Sequence, residues 1–127
     1  MTLAQATVLV VDDEPILRLT LGLMLERHGA KTHRAANGLE ALDVLRSQTV
    51  DLMLSDRQMP IMDGLRLLHT MAAENIRVPS LLFTQSDSAS PQELQALGVV
   101  QTLSKPIHPE DLIRAVADAL AAFPLRP

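Results

Sequence analysis

Short apolar runs alternate with helix-like segments along this chain of 127 residues, and this order restricts the possible folds more than any other feature. Runs rich in Val and Leu at 7–11, 51–55, 80–84 and 99–103 are too short for helices and predict buried strands. A more polar run at 30–36 carries charges, so it predicts a weaker strand at or near a sheet edge.

The segments between these runs carry apolar residues at helical spacing. They predict helices at 15–28, 38–47, 64–73, 91–97 and 109–122. Strict alternation of strand and helix implies an α/β fold in which a doubly wound, five-stranded parallel sheet has helices on both faces. No internal linker interrupts the pattern, so we expect one domain over 1–127, with its core at about 7–122 and peripheral ends at 1–6 and 123–127.

Local signals mark two of the helix starts. Asn37 with Glu40 three residues later has the shape of a capping box, although Asn replaces the usual Ser or Thr. Ser90 with Glu93 repeats that spacing, and Pro91 between them suits the first helical position. We therefore expect helices to begin directly after Asn37 and Ser90.

The net charge of −4 and the absence of cysteine exclude several classes of site. An acidic chain offers no basic surface to the phosphate backbone of nucleic acid. A chain without cysteine makes no disulfide, thiolate zinc site or cysteine nucleophile. The sequence shows neither a signal peptide nor an apolar run long enough to span a bilayer. We expect a cytoplasmic domain that contacts neither nucleic acid nor membrane.

Polar residues stand at the carboxyl ends of the predicted strands, where open parallel sheets bind ligands. Asp12 and Asp13 follow the first strand, Asp56 the third and Lys105 the fifth, while Thr84 ends the fourth. Taken alone, Asp56 is more simply a turn or capping acid. Together, three carboxylates, a hydroxyl and an ammonium group at one edge favour a functional site.

The residue types at this edge indicate phosphoryl transfer. Clustered carboxylates repel one another, and a hard divalent cation, Mg²⁺ or Mn²⁺, relieves that repulsion. A carboxylate beside such a cation can attack phosphorus and form an aspartyl phosphate. A lysine and a hydroxyl are the groups that then neutralise and orient the transferred phosphoryl group.

Four stretches, "VLVVDDEP", "DLMLSDRQMPIMDG", "SLLFTQS" and "GVVQTLSKPI", resemble the receiver domain of two-component response regulators in order and spacing. Each motif is weak alone, and the combination is specific. The resemblance covers about residues 7–122 and implies a flavodoxin-like (βα)5 sheet with strand order 2-1-3-4-5. It implies a domain that takes a phosphoryl group from a histidine kinase or a histidine phosphotransfer protein and signals to an output partner or a fused output domain.

The resemblance also implies a metal site. Asp56 corresponds to the phosphoacceptor, which also contacts the metal. Asp13 corresponds to the direct Mg²⁺ ligand, and Asp12 to an acidic neighbour that binds the metal mainly through water. The backbone carbonyl of Gln58 corresponds to a further ligand.

Three further positions correspond to residues that hold or shape the phosphoryl site. Lys105 corresponds to the lysine that pairs with phosphoryl oxygens, and Thr84 to a switch hydroxyl that moves towards the phosphate. Pro106 corresponds to a proline that usually follows a cis peptide bond. The resemblance therefore predicts the peptide between Lys105 and Pro106 to be cis.

The sequence departs from the family pattern where the family reads out its phosphorylation state. Thr102 stands where the family usually has a switch aromatic residue, and Gln85 where it usually has Ala or Gly. The segment from Thr84 to Gly98 is also about one residue shorter than usual. We expect phosphorylation to be retained and its readout to be atypical.

Two alternatives compete with the phosphoacceptor hypothesis. A haloacid-dehalogenase-like phosphatase needs a second Asp two residues after its nucleophile, and Gln58 occupies that position. We therefore expect self-catalysed phosphorylation and slow dephosphorylation, and no turnover enzyme. A pseudo-receiver, the same fold acting as a phosphorylation-independent interaction module, is the remaining alternative.

Overall fold

Strands and helices alternate five times in the computed structural model, which describes residues 3–85 and 89–122. The strands are β1 (Thr7–Val11), β2 (Lys31–Ala35), β3 (Leu52–Asp56), β4 (Ser80–Phe83) and β5 (Val99–Leu103). The helices are α1 (Pro15–Arg27), α2 (Gly38–Ser47), α3 (Gly64–Ala73), α4 (Pro91–Ala96) and α5 (Pro109–Ala122). The alternation that the sequence pattern predicts is confirmed.

The strands form one parallel sheet in the order β2-β1-β3-β4-β5. The doubly wound fold and the strand order 2-1-3-4-5 are therefore confirmed. The polar strand β2 lies at one edge, as its charges predict. The order reverses between β1 and β3, which makes their carboxyl ends the place where such a sheet offers a crevice.

Successive side chains of a strand point to opposite faces, so each buried strand feeds two apolar layers. Val8 and Val10 of β1 pack with α1 and α5, whereas Leu9 and Val11 pack with α2, α3 and α4. β1 is thus covered on both faces, as expected for a central strand of a parallel sheet.

The chain upstream of β1 belongs to the core. The prediction that residues 1–6 are peripheral is wrong for Leu3 and Ala6, which are 1% and 0% exposed. Leu3 donates its backbone N–H to the His28 carbonyl at 2.7 Å and packs in the layer of α1 and α5. Residues 1–2 and 123–127 lie outside the described residues.

Side-chain caps begin α2 and α4 at the two residues that the sequence predicts. Asn37 accepts from the Glu40 N–H at 3.0 Å, and Glu40 accepts in return from the Ala36 N–H at 3.0 Å. Ser90 accepts from the Glu93 N–H at 3.1 Å. Both predicted caps are therefore confirmed. The reciprocal bond from Glu40 reaches one residue further back than in the usual capping box.

Strand boundaries differ from the sequence prediction where the site lies. β3 ends at Asp56 and not at Ser55, because Asp56 still pairs with Phe83 of β4. β4 ends at Phe83, so Thr84 lies just beyond the strand and donates its N–H to the Leu103 carbonyl at 2.9 Å. The last strand residue and the candidate nucleophile are thus the same residue.

No helix in the described ranges is both long and apolar enough to cross a membrane.

Candidate functional site

Asp12 is held at the end of β1 by its backbone and by both carboxylate oxygens. The residue is 1% exposed. Its N–H donates to the Ala35 carbonyl of β2 at 3.1 Å. Its Oδ1 accepts from the Glu14 N–H at 2.9 Å, and its Oδ2 accepts from Lys105 Nζ at 2.9 Å. Such a buried carboxylate is tolerated because it is hydrogen-bonded and paired.

Lys105 joins Asp12 to Asp56. Its Nζ donates to Asp56 Oδ2 at 3.0 Å as well as to Asp12 Oδ2. The same Nζ lies 5.4 Å from the centroid of the Phe83 ring, within the range of a cation–π contact. The peptide between Lys105 and Pro106 is cis, as predicted. One ammonium group therefore bridges the ends of two neighbouring strands.

Burial and charge act in opposite directions on these groups. Burial raises the pKa of Asp56 and outweighs the hydrogen bond and charge of Lys105, while repulsion from Asp12 raises it further. Burial of the ammonium group opposes its charge, but the bonds to Asp12 and Asp56 outweigh burial and raise the pKa of Lys105. Lys105 therefore stays charged, whereas burial and repulsion from Asp12 destabilise the ionised form of Asp56.

Asp13 completes a group of three acids. One carboxylate oxygen from each of Asp12, Asp13 and Asp56 lies within 4.8 Å of the other two. Asp12 is buried, Asp56 is half-buried and Asp13 is exposed. Within the described residues, no other cluster of three or more Asp, Glu or His could hold a metal ion.

The donor set fits a hard divalent cation. Lys105 is the cation whose side chain bonds to the carboxylates of Asp12 and Asp56, and three carboxylates outnumber this one ammonium group. Mg²⁺ prefers carboxylate oxygens and keeps several waters, which the exposed side of Asp13 can accommodate. The predicted group Asp12, Asp13 and Asp56 is therefore brought together, and its carboxylates could hold a divalent cation.

The remaining predicted residues differ in how exposed they are. Gln58 is exposed two residues after Asp56, Thr84 is half-buried, and Gln85 is exposed next to residues outside the described part of the chain. Thr102 is exposed in β5, where it lines a groove beside α4. Their predicted roles remain predictions.

Arg18 and Gly64 support the site. Sequence reasoning missed Arg18 and indicated Gly64 only as part of a turn. Arg18 donates from its guanidinium group to the Asp12 carbonyl at 2.6 Å, which ties the first turn of α1 to the end of β1. Gly64 donates its N–H to the Arg57 carbonyl at 2.7 Å. The signal for Gly64 was its place in Asp-Gly, which the sequence indicates only as a turn and helix entry.

A side chain at Gly64 would collide with the backbone of the site. An added Cβ would lie 2.4 Å from the Asp56 carbonyl oxygen and 3.0 Å from Arg57 Cα. Asp63 before it caps α3 by accepting the Arg66 N–H at 2.8 Å. The chain therefore closes tightly behind Asp56, and only glycine allows that closure.

Comparison with known proteins finds one family. The model described as the response regulator receiver domain matches residues 8–117. Sporulation initiation phosphotransferase F of Bacillus subtilis is 35% identical over 111 residues, which cover 86% of this chain and 89% of that protein. Transcriptional regulatory protein GlrR of Escherichia coli is 37% identical over 117 residues, which cover 91% of this chain and 26% of that protein.

Solved structures have the same fold. The receiver domain of the sensor histidine kinase PA1611 from Pseudomonas aeruginosa superimposes with a TM-score of 0.80 at 25% identity, covering 93% of this chain and 99% of that one. In that structure a magnesium ion is coordinated in the active site cleft.

Proposed function

Since this chain belongs to the response regulator receiver domain family of two-component signal transduction, we propose that Asp56 accepts a phosphoryl group from a phosphohistidine. The donor is a histidine kinase or a histidine phosphotransfer protein. The observation that carries the proposal is the bridge from Lys105 to Asp12 and Asp56, with Asp13 beside them. These are the groups that a phosphoacceptor needs within one crevice.

The transfer uses the Asp56 carboxylate as nucleophile. A carboxylate oxygen attacks phosphorus, the bond from phosphorus to the donor imidazole breaks, and the electron pair leaves with the imidazole. The raised pKa of Asp56 reflects a charge that burial stabilises poorly, which favours reaction of the carboxylate with an electrophile. Forming the acyl phosphate moves the negative charge outward from Asp56.

Lys105 has a role before and after the transfer. Its Nζ bonds to Asp56 and Asp12 in the structure, and after the transfer it can bond to a phosphoryl oxygen while keeping Asp12 as partner. Thr84, just past β4, is the hydroxyl proposed to bond to the same group. An ammonium and a hydroxyl aimed at the transferred group stabilise charge without adding a reaction step.

Asp12, Asp13, Asp56 and the Gln58 carbonyl would hold Mg²⁺. When bound, the cation neutralises charge on the carboxylates and on the transferred phosphoryl group. The magnesium ion in the related PA1611 receiver supports this assignment. The excess of carboxylates over ammonium groups supports it independently.

The reaction serves a switch and not turnover. Asp56 is consumed by phosphorylation and is restored when water hydrolyses the acyl phosphate or when another nucleophile takes the phosphoryl group. The exposed Thr102 stands where the family usually has an aromatic residue, so we propose that the readout differs from the usual one. The output is a separate partner or a fused domain, as the longer relative GlrR illustrates.

Intact-mass analysis after incubation with acetyl phosphate tests the proposal. Wild type with Mg²⁺ is expected to gain about 80 Da, one phosphoryl group, on Asp56. Asp56→Asn and a sample treated with EDTA are expected to gain nothing. Asp51→Asn is the matched control, because Asp51 lies directly before the other end of β3, where its carboxylate accepts the Thr7 N–H.

The pseudo-receiver makes the opposite prediction. If wild type gains no mass with acetyl phosphate or with a phosphorylated histidine phosphotransfer domain, the interaction module replaces the phosphoacceptor as the function. An adduct that persists in Asp56→Asn would also contradict the proposal, since another residue would then be the acceptor.

A further inference from the structure

The loop that follows Asp56 contains a strained turn. Met62 donates its N–H to the Pro60 carbonyl at 2.7 Å, and Ile61 between them has a φ of +71°. A hydrogen bond between the first and third residues of a turn defines a γ-turn, and a positive φ at the central residue marks its rarer and more strained form. A β-branched residue is especially unfavourable there. Such a conformation persists only where its surroundings hold it.

Gly38, at the start of α2, contacts this turn from outside the loop. Its N–H donates to the Met62 carbonyl at 3.2 Å. A Cβ added to Gly38 would lie 2.6 Å from Met62 Cγ and 2.8 Å from the Met62 carbonyl oxygen. Both residues are buried. The absence of a side chain at Gly38 is therefore what allows the helix and the loop to approach so closely.

The first turn of α2 is itself fixed in place. Asn37 caps the helix through the Glu40 N–H, and Glu40 bonds back to the Ala36 N–H at the end of β2. Gly38 therefore cannot withdraw from Met62 without breaking this cap. A side chain at Gly38 would instead displace the loop.

We propose that Gly38 is a positioning residue for the phosphoacceptor loop, acting through Met62. The loop of residues 57–63 carries the Gln58 carbonyl and connects directly to Asp56. Its far end rests on α2, which supplies none of the three acids of the site. This inference rests on the proposed function of Asp56.

Gly38→Ala tests the proposal by two measurements in the full chain. Without metal, the amide resonances of residues 57–63 are expected to shift in two-dimensional NMR spectra. In a Mg²⁺ titration followed by the same spectra, the dissociation constant is expected to rise about tenfold, the size typical of residues that orient metal ligands.

Gly22→Ala is the matched control. An added Cβ at Gly22 would also lie 2.6 Å from its nearest atom, but that atom belongs to the flexible guanidinium group of Arg34, which can move aside. Gly22→Ala is expected to leave the resonances of 57–63 and the Mg²⁺ dissociation constant unchanged. Met62→Ala removes the side chain that packs against Gly38 and adds no volume. This variant is also expected to raise the Mg²⁺ dissociation constant, as Gly38→Ala does.

Three results would overturn the proposal. They are unchanged resonances of 57–63 in Gly38→Ala, an unchanged Mg²⁺ dissociation constant in Gly38→Ala, and equal changes in Gly22→Ala. If wild type itself binds no Mg²⁺ and takes no phosphoryl group, the proposed function fails. The metal-free resonances of Gly38→Ala then decide the positioning role alone.

Discussion

The two halves of the sheet differ in how completely their neighbours fix them. On the β1–β3 side, β1 pairs with β2 and β3 without a register shift, and the strand residues Val8–Val11 are buried. On the other side, the register between β4 and β5 shifts after Ser80, and Val100, Gln101 and Thr102 of β5 are exposed. The short helix α4 leaves a groove of about 1030 Å³ beside this strand.

If the proposed function holds, the difference separates the half of the sheet that carries the phosphoacceptor from the half proposed to read out its state. Asp12 and Asp56 stand on the regular half, where two layers of apolar residues hold their strands. Thr102, which departs from the family pattern, stands on the half that neighbours cover least. Groups that must meet within hydrogen-bond distance need rigid support, whereas a surface that responds to them can have lower local stability.

Gly64→Ala is expected to have the largest effect on the regular half. Its Cβ would meet backbone atoms of Asp56 and Arg57, which cannot move aside. We expect a loss of about 3 kcal/mol in the free energy of unfolding, the upper range for overpacking, measured by urea denaturation. Gly22→Ala, which meets only the end of a side chain, is expected to change stability by less than about 1 kcal/mol. Equal losses of unfolding free energy in the two variants would show that a collision with backbone atoms costs no more than one with a flexible side chain.

Asp56→Asn is expected to stabilise the metal-free protein at pH 7, by less than the Gly64→Ala loss. Burial raises the pKa of Asp56 above its ordinary value of 3.8. A carboxyl group with a raised folded-state pKa contributes stability fully below its unfolded pKa, and this contribution is lost as pH rises through the folded pKa. At pH 7 the ionised group therefore opposes folding, and Asn removes that opposition.

Urea denaturation between pH 3 and pH 7 measures this effect. The gain from Asp56→Asn is expected to shrink as the pH falls through the folded pKa of Asp56 towards 3.8. Asp118→Asn on the exposed side of α5 is the control and is expected to give no such gain. A less stable Asp56→Asn at pH 7 would show that the bond to Lys105 outweighs the burial of the carboxylate.

Ile61 allows a comparison within the loop. At a φ of +71°, glycine is free of the steric penalty that any Cβ causes. Ile61→Gly is expected to be about 1 kcal/mol more stable than Ile61→Ala in urea denaturation, because only glycine relieves the turn. Both variants remove the Ile61 side chain, which is 69% exposed, so the loss of its packing contributes little to either stability. Equal stability would mean that the turn is not strained.

Thr102→Tyr is expected to have the smallest effect on stability and tests the other half of the sheet. Because Thr102 is exposed, the free energy of unfolding is expected to change by less than about 0.5 kcal/mol. The chain contains no Trp or Tyr, so the new ring is the sole strong fluorophore. Its emission is expected to change on phosphorylation of Asp56 and to stay constant in the Asp56→Asn background. Emission that is unchanged by phosphorylation would show that the surroundings of residue 102 do not respond to the state of Asp56.

The sequence by itself determined the order of the elements and the edge that carries the site. Short β-branched runs and helical periodicity reflect burial, which acts over a few neighbouring residues and is therefore readable locally. Because parallel strands end at one edge, the residues that follow them are predicted to meet there, and Asp12, Asp13, Asp56 and Lys105 do so.

The tertiary structure decided which atoms meet. Lys105 is separated from Asp12 by 93 residues and from Asp56 by 49, so the bridge depends on how distant strands align. The burial of Leu3 and the contact of Gly38 with Met62 are likewise set by packing between elements. A local pattern states that a residue is apolar, charged or small, but the distance between two side chains follows only once the sheet and its helices are assembled.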